Sequence, residues 1–236
     1  MCTVSIVPHR DGFRLMSNRD ERRDRAVALD PRVESLGSRS VIVPDPVGGV
    51  SWIGVNDAGL AAAVLNRHHR PTQLTARLMS RAAIVRQALG SESVGAALES
   101  VLALEAARFQ PFRLVLVQKR QIALVAGDAR EFVHARSALE QPCTFTASSL
   151  GDVLVDTPRR RLFECLMDHP GDRLRGQLLF HRRQWTNKRD ISVLIEREDA
   201  ATVSRTTVDV GEDGIALEYE SLLPRRPVRR LALPPC

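Results

Sequence analysis

The chain has 236 residues, of which 44% are hydrophobic, and it carries a formal net charge of +6. This length accommodates one large domain with its own core, so folding requires neither a disulfide framework nor a structural metal. The first apolar run, residues 3–7, is too short for a secretory signal or a membrane span, and the four cysteines lack paired spacing, which together predict reduced thiols and a cytoplasmic location.

The first part of the chain predicts two β-hairpins separated by a loop. Residues 2–17 contain two short apolar runs on either side of Asp11-Gly12, a dipeptide typical of tight hairpin turns. Residues 51–65 repeat this arrangement around a polar turn. The intervening segment 20–40 is charged and lacks sustained periodicity, so we predict a long loop there. The four predicted strands are residues 2–7, 13–17, 51–55 and 60–65.

The rest of the chain combines helical and strand-like patterns. Apolar residues at helical spacing predict three helices, at residues 74–89, 94–107 and 157–168. Ser91 and Ser93 are candidate N-caps of the second helix, and Pro158 is placed in the first turn of the third, where proline is tolerated. The remaining predicted strands are residues 112–117, 122–126, 131–134, 144–147, 191–196, 202–208 and 215–219.

The order of these elements predicts an α+β fold in layers. Hairpins dominate, which favours mainly antiparallel sheets, and helices arrive in blocks, which argues against alternating βαβ units. Two stacked antiparallel sheets with helices on the outside satisfy both observations. We predict one domain over residues 1–223, followed by a basic, flexible tail at 224–236 that contains four arginines.

The start of the chain, Met1-Cys2-Thr3, suggests a chemical role for Cys2. Enzymes that remove the initiator methionine accept only a small second residue, and cysteine qualifies. Removal would place a thiol and a free α-amine on one residue, and the amine, with an ordinary pKa of about 7.7–8.0, could accept the thiol proton. The thiolate is the nucleophilic form of cysteine. The alternative is an ordinary cysteine in the first strand.

A charged cluster follows the second predicted strand. The hairpin returns that strand beside the first, so Asn18-Arg19-Asp20-Glu21 is expected close to Cys2. Arg19 would stabilise a thiolate, and Asp20 could orient the amine. The alternative explanation, a charged loop, accounts well for the arginines that come next.

Two motifs and the cysteine together resemble a known family. The opening "MCT", the segment "SNRDER" and "GGVSWIGVNDAGLAAAVLN" at 48–66 are similar to the NRDE family, which is named for the sequence found here at 18–21. That family includes the transport-and-Golgi-organisation proteins and is similar to the N-terminal-nucleophile (Ntn) hydrolases. In the second motif the matching residues are Gly48, Gly49, Trp52, Gly54 and Asn66.

The resemblance implies a four-layer αββα Ntn-hydrolase-like sandwich of two mainly antiparallel sheets. It also implies that Cys2 is the nucleophile, that Arg19 and Asp20 are its electrostatic partners, and that Asn66 donates a hydrogen bond to an oxyanion. The substrate-pocket candidates are Asn18, Trp52, Ser148 and Arg189. Ser148 stands where the family has an asparagine, and its hydroxyl has a shorter reach.

Other classes of site are less well supported. His68-His69 suggests a metal or haem site, but adjacent side chains point in different directions and no second cluster has ligand spacing, so we expect no metal and no cofactor. Nucleic-acid binding would depend on charge alone, for example on Arg77 and Arg81 sharing a helix face. Aromatic residues that could stack on bases are scarce, which argues against it.

Two hypotheses of function therefore remain. The first is an Ntn-type cysteine amidohydrolase that cleaves a small non-peptide amide or acyl substrate through a Cys2 thioester. The second is a protein of the same fold that handles a small ligand, such as haem, a lipid or acyl-CoA, without catalysis. Both predict a small-molecule partner, and the sequence leaves the oligomeric state open.

Overall fold

The computed structural model describes residues 2–26, 28–45, 51–67, 78–128 and 130–234. Within these residues the chain forms two β-sheets and four α-helices. The strands are β1 (Cys2–His9), β2 (Gly12–Arg22), β3 (Leu29–Leu36), β4 (Arg39–Asp45), β5 (Ile53–Asn56), β6 (Ala61–Asn66), β7 (Phe112–Gln118), β8 (Gln121–Gly127), β9 (Phe132–Ala138), β10 (Cys143–Ala147), β11 (Ala200–Gly211), β12 (Gly214–Ser221) and β13 (Arg229–Leu233). The helices are α1 (Ala82–Leu89), α2 (Val94–Leu102), α3 (Asp152–Met167) and α4 (Arg173–His181).

The first sheet contains the predicted N-terminal hairpin near its centre. Its strand order is β10-β1-β2-β11-β12-β13, and all neighbours are antiparallel. The hairpin closes where His9 pairs with Gly12. A Cβ atom at Gly12 would lie 1.9 Å from the carbonyl oxygen of Val210, so only glycine lets β11 approach this closely.

The second sheet has the order β3-β4-β5-β6-β7-β8-β9. Its first two strands overturn the prediction of a long loop at 20–40, because β2 continues to Arg22 and β3 and β4 follow it. The strand β3 lies at the edge of the sheet and is mostly exposed. An edge strand needs few apolar side chains, and its charged residues, such as the Arg32–Glu34 pair at 3.2 Å, concealed the pattern.

The layers follow the predicted four-layer αββα sandwich, which is confirmed. Helices α1 and α2 pack on β5–β8 of the second sheet, and α3 and α4 pack on β1, β2 and β10 of the first. The main hydrophobic core lies between the sheets and under α1 and α2, with Phe13 and Leu15 from one sheet and Leu114 and Leu116 from the other. A smaller apolar cluster, which includes Phe163 and Phe180, lies under α3 and α4.

The helix boundaries differ from the predictions. Helix α1 begins at Ala82, and residues 74–77 of the predicted helix, with Leu74, lie outside the described residues. Helix α2 ends at Leu102 instead of residue 107, and the predicted cap Ser93 accepts a hydrogen bond from Ala96 N at 3.1 Å. Helix α3 begins six residues before Pro158, which therefore lies inside the helix. Its buried face, Val155, Arg159, Phe163 and Met167, keeps helical spacing past the proline.

The C-terminal region contains two elements that the sequence patterns missed. Helix α4 was not predicted because polar Gln177 and His181 lie on its buried face beside Phe180. The segment 224–236, predicted as a flexible tail, instead contains β13, which pairs with β12 over its whole length. Leu231 and Leu233 alternate with exposed residues, and the arginines obscured this period of two.

Two further predictions in this region have different outcomes. The predicted strand at 191–196 is wrong, because only an isolated bridge between Glu196 and Ala201 forms there. The predicted strands at 202–208 and 215–219 are confirmed as the central parts of β11 and β12. Among the described residues, no helix combines the length and the apolar character needed to cross a membrane.

Candidate active site

Cys2 is the first residue of β1, at the end of the first sheet where β2 and β10 flank it. Its Cα partners are Arg19 on β2 and Ala147 on β10. Only 8% of Cys2 is exposed, and it faces the second sheet together with the core residues Val4 and Ile6. Cys2 also contributes to the wall of a cleft of about 390 Å³. The described residues of that wall are Cys2, Arg19, Glu21, Arg25, Trp52, Val64, Asn66, Leu78, Met79, Ser80, Arg81, Ala82 and Gln110.

Arg19 is held in one position beside Cys2. Directly opposed residues of an antiparallel pair project from the same face of a sheet, so the side chains of Arg19 and Cys2 share the cleft side. The guanidinium carbon lies 4.4 Å from the ring centroid of Trp52. The same group bonds Glu21 at 3.0 Å, and Glu21 also bonds Arg25 at 2.8 Å. A ring and a shared carboxylate thus fix this cation on the same face of the sheet as the thiol.

The thiol of Cys2 is neutral in its resting state. Burial raises the pKa of Cys2 above its ordinary value, and the positive charges of the chain's N-terminal amine and of Arg19 offset that effect only in part. Asp20 and Glu21 raise this pKa further. A nucleophilic role for Cys2 therefore requires a base that removes the proton when the substrate is bound.

Asp20 lies behind Cys2, on the side of the first sheet that faces the helices. Its neighbour Arg19 faces the cleft, and alternation along β2 places Asp20 on the opposite face. The carboxylate accepts a hydrogen bond from Thr202 Oγ1 at 2.7 Å. Burial raises the pKa of Asp20, whereas the nearby charge of Arg159 lowers it. Asp20 interacts electrostatically with Cys2 but is outside the described cleft wall.

Arg159 is a buried cation that the sequence patterns did not single out. It lies on the buried face of α3 and is 1% exposed. Its guanidinium donates to Thr3 Oγ1 at 2.8 Å and to the carbonyl oxygens of Ser192 at 2.6 Å and Ile191 at 3.1 Å. Arg159 therefore connects α3 to the residue that follows Cys2 and supplies positive charge near the buried carboxylate of Asp20.

Two of the predicted residues, Trp52 and Asn66, lie with Cys2 and Arg19 in the cleft wall. Asn66 is the last residue of β6, opposite Phe112 on β7, and is partly exposed. The amide of Asn66 is thus on the second sheet, while Cys2 is on the first. Residues of both sheets therefore line the cleft.

Asn18, which was predicted for the pocket, lies elsewhere. It alternates with Arg19 and faces α4, where its side-chain amide donates to the carbonyl oxygens of His181 and Val193, both at 2.9 Å. Asn18 is completely buried. Its position follows from the alternation of β2, which turns neighbouring residues to opposite faces.

Ser148 and Arg189 are also outside the described cleft wall. Ser148 caps the turn before α3: its backbone N–H donates to Asp152 Oδ1 at 2.8 Å, and its hydroxyl accepts from Leu150 N at 3.2 Å. Arg189 is exposed and forms an ion pair with Glu196 at 3.1 Å. Both predictions assumed that a match in chain order places a side chain in the pocket. His68, His69, Gly48, Gly49 and Arg77 lie outside the described residues.

Ser5, His181 and Asn18 form a buried chain of hydrogen bonds under α4, which the sequence patterns did not predict. His181 Nδ1 is 3.0 Å from Asn18 Oδ1, and His181 Nε2 is 2.7 Å from Ser5 Oγ. Because the Asn18 amide nitrogen donates elsewhere, its oxygen accepts from Nδ1–H, and Ser5 donates to Nε2. Burial, assisted by Arg205 and Arg159, lowers the pKa of His181 to about 3. The ring is therefore neutral and joins α4 to the first sheet.

Three charged residues of the cleft wall were not proposed from the sequence as site residues. Glu21 and Arg25 follow Arg19 within the same charged stretch, whose length along β2 could have indicated them. Arg81 immediately precedes α1 and donates to the carbonyl oxygen of Pro111 at 3.1 Å. Burial lowers the pKa of Arg81, and its side chain interacts electrostatically with Cys2, Arg25 and Glu21.

Solved structures of similar fold are Ntn hydrolases. Penicillin V acylase from Agrobacterium tumefaciens superposes with a TM-score of 0.65 at 15% identity, covering 99% of this chain and 86% of the other. The C2A mutant of conjugated bile acid hydrolase from Clostridium perfringens gives 0.59 at 11%, covering 99% and 92%. The Caenorhabditis elegans ortholog of N-acylethanolamine-hydrolyzing acid amidase gives 0.59 at 10%, covering 99% and 100%. The chain thus has the Ntn-hydrolase-like sandwich fold.

The sequence shows the family to which this chain belongs. The model of the family described as Transport and Golgi organisation 2 matches residues 1–162, more than half of the chain. The chain belongs to this family, which confirms the NRDE resemblance. No curated protein matches it in sequence.

Proposed function

We propose that the protein is an N-terminal-nucleophile cysteine hydrolase that cleaves a small non-peptide amide or acyl substrate. One observation carries this proposal: Cys2 lines the cleft beside the fixed guanidinium of Arg19, and Asn66 of the second sheet lines the same cleft. A nucleophile, a cation that stabilises its thiolate and a hydrogen-bond donor therefore border one space that could hold a small molecule.

The first half-reaction begins with a neutral thiol. After removal of Met1, the free α-amine of Cys2 accepts the thiol proton, and the thiolate attacks the substrate carbonyl carbon. Asn66 donates a hydrogen bond to the resulting oxyanion. The carbon–nitrogen bond then breaks, the leaving nitrogen takes the proton from the α-ammonium, and an acyl thioester remains on Cys2.

Water completes the cycle by the reverse sequence of proton transfers. The α-amine of Cys2 removes a proton from water, and the hydroxide attacks the thioester. The carbon–sulfur bond then breaks to release a carboxylic acid, and the thiolate of Cys2 takes the proton back from the α-ammonium. Asp20 is proposed to hold the α-amine in place from behind the sheet, because it lies close enough to interact electrostatically with Cys2. The ion pair and ring around Arg19 keep its charge on the side of the sheet where Cys2 lies.

The structural neighbours are enzymes named for small-molecule substrates. They are a penicillin V acylase, a conjugated bile acid hydrolase and an N-acylethanolamine-hydrolyzing acid amidase. The identities of 10–15% convey the fold and not the substrate. The substrate class therefore rests on the cleft of this chain.

The test is acylation of the purified protein by an activated-amide or activated-ester probe, followed by mass spectrometry of the N-terminal peptide. We expect Met1 to be absent and one acyl group on Cys2. Cys2→Ala should lose this label, whereas the matched control Cys165→Ala, which removes an exposed thiol on α3, should keep it. Retention of Met1, or unchanged labelling of the Cys2→Ala variant, would contradict the proposal.

A second candidate is a protein that binds a small ligand without cleaving it, such as haem, a lipid or acyl-CoA. The observation in its favour is the position of Ser148, which caps a turn and does not replace the expected asparagine in the cleft. Titrations with haem and with acyl-CoA, read by absorbance and calorimetry, distinguish the candidates. Binding with no turnover of an amide panel supports this alternative, and turnover without binding rejects it.

A cytoplasmic location is a further part of the proposal. The three described cysteines, Cys2, Cys143 and Cys165, are free thiols, which is typical of a reducing compartment. Fractionation of cells that produce the tagged protein would test it, and recovery in a membrane or secreted fraction would contradict it.

A further inference from the structure

The cleft beside Cys2 carries more positive than negative charge. Among the residues that the structure describes, the charged side chains of its wall are the guanidinium groups of Arg19, Arg25 and Arg81 and the carboxylate of Glu21. Glu21 already bonds Arg19 at 3.0 Å and Arg25 at 2.8 Å. This single carboxylate is therefore shared by two cations and leaves an excess of positive charge.

Arg81 is the cation with the least compensation. Within the described part of the chain, no carboxylate lies within ion-pair distance of it, and its one hydrogen bond goes to the neutral carbonyl of Pro111 at 3.1 Å. It is only partly exposed, and burial lowers its pKa, which reports the cost of holding this charge away from water. The undescribed stretches 46–50 and 68–77 contain no Asp or Glu, so they add no carboxylate.

The local backbone adds to the positive potential. Ser80 and Arg81 immediately precede α1, Ala82 is its first residue, and all three line the cleft. The N-terminal end of a helix carries a partial positive charge. Because α1 is short, we regard this as a contribution that supports the guanidinium groups and not as a site in itself.

We propose that Arg81, together with Arg25, binds an anionic group of the substrate, a carboxylate or a phosphate, and directs the scissile carbonyl toward Cys2. The described wall holds three guanidinium groups against the single carboxylate of Glu21. Transfer of the thiol proton to the α-amine leaves this excess of positive charge unchanged, so the cleft attracts an anion whether Cys2 is a thiol or a thiolate. Arg25, with an exposed side chain, can reorient toward such a ligand, whereas Arg19 is fixed by Trp52.

This inference rests on the proposed function, because it assumes that Cys2 is the reacting group, and it narrows the substrate to acidic amides or acyl compounds. Arg81 and Arg25 would determine specificity and would not take part in bond cleavage. A neutral amide of the same size should therefore bind weakly although it contains the same reactive bond.

The test uses two alkylating reagents of nearly equal size, iodoacetate and iodoacetamide, on the intact protein. Each forms a sulfur–carbon bond to a thiolate and releases iodide, but only iodoacetate carries a carboxylate. The rates at Cys2 and at exposed Cys165 are measured in the same sample by peptide mass spectrometry. We expect the iodoacetate-to-iodoacetamide ratio to be about tenfold higher at Cys2 than at Cys165 in low salt, and to decrease as the salt concentration rises.

Variants assign the effect to the proposed residues. Arg81→Gln should lower the ratio at Cys2 by about fivefold, and Arg25→Gln should lower it by a smaller factor. The matched control Arg175→Gln removes an exposed charge on α4 and should leave the ratio unchanged. Equal ratios at Cys2 and Cys165 in the wild-type protein, or no reaction of Cys2 with either reagent, would overturn the inference whether or not the variants fold.

Two further comparisons complete the test. Acetate or inorganic phosphate should protect Cys2 from iodoacetamide, and the anion that protects at the lower concentration identifies the group that the site binds; protection by neither anion would overturn the inference. If Cys2 prefers iodoacetate but no amide probe acylates it, the anion site is supported and the hydrolase proposal is rejected. If Cys2 is acylated but shows no preference for the anionic reagent, the hydrolase proposal is supported and the anion site is rejected.

Discussion

The neutral ring of His181 predicts that the protein loses stability as the pH falls below about 6.5. The folded state holds this ring between Ser5 and Asn18 with a pKa of about 3, whereas an ordinary histidine has a pKa of 6.5. Between these two values the unfolded chain binds a proton that the folded chain does not bind. Stability therefore rises with pH across this interval and is lost as the pH falls from about 6.5 toward 3.

The size of this effect follows from the pKa difference. At pH 7.5 the histidine of the unfolded chain is mostly neutral and contributes almost nothing. At pH 5 its protonation favours the unfolded state by about 2 kcal/mol. The difference in pKa corresponds to a limiting loss of about 5 kcal/mol near pH 3. The side chain of His181 is fully buried, so solvent does not screen the effect.

The assay is urea unfolding at pH 7.5 and pH 5 at constant ionic strength, followed by tryptophan fluorescence. His181→Gln removes the titrating group, and the matched control His169→Gln removes a histidine whose side chain is 81% exposed. We expect the wild-type protein and the His169→Gln variant to lose about 2 kcal/mol more between the two pH values than His181→Gln. The comparison cancels other titrating groups, including Asp20.

Equal pH dependence in the wild-type and His181→Gln proteins would refute the reasoning, because it would mean that the ring can accept a proton in the folded state. A lower stability of His181→Gln at both pH values is expected from its broken hydrogen bonds. That loss does not affect the comparison of how stability changes with pH. If the pH dependence is equal but His181→Gln is less stable, the hydrogen bonds of His181 stabilise the fold and its ring is not held neutral.

Three further predictions concern the site. Arg159→Met should lower the free energy of unfolding by about 3–5 kcal/mol at neutral pH. The loss should be smaller at acidic pH, because the buried carboxylate of Asp20 then becomes protonated and no longer needs the positive charge. Urea unfolding at both pH values measures the difference. Trp52→Leu removes the ring on which Arg19 rests and should slow acylation of Cys2 about threefold, as followed by mass spectrometry. Asn66→Ala should reduce turnover of a cleaved amide by about 10²–10³ while iodoacetamide still alkylates Cys2 at the wild-type rate. An unchanged turnover would remove Asn66 from the proposed mechanism.

The central part of the fold was predictable because its sequence patterns are local. The hairpin around Asp11-Gly12 sets β1 against β2, and the resulting register alone brings Arg19 beside Cys2. The edges of the sheets were not predictable in this way. In β3 and β13 charged side chains are tolerated because one side of the strand faces solvent, so the apolar alternation is weak.

In the candidate site, too, some residues were predictable from the sequence and others were not. Cys2, Arg19, Trp52 and Asn66 were predicted and lie in one cleft wall, because strand pairing and sheet stacking bring them together. Asn18 was misplaced because neighbouring residues of a strand face opposite sides of the sheet.

Where tertiary packing decides whether a residue lies in the cleft, the local sequence pattern did not indicate it. Arg81 reaches the cleft from the start of a helix, and its interaction with Glu21 and Arg25 depends on how the layers stack. Ser148 stood at the expected place in the chain order, yet it comes directly after β10 and its hydrogen bonds hold it in the turn before α3. Neither position could be derived from spacing along the chain.

The pairing of Cys2 between β2 and β10 has a consequence for the order of events during synthesis. Arg19 leaves the ribosome soon after Cys2, but Ala147, the partner of Cys2 on β10, lies 145 residues further along the chain. At typical elongation rates this delay is roughly 7–30 s. During that interval the start of the chain is open on one side to processing enzymes. Once β10 has joined the sheet, Cys2 has a strand on both sides, so access to the start of the chain is widest before β10 pairs with β1.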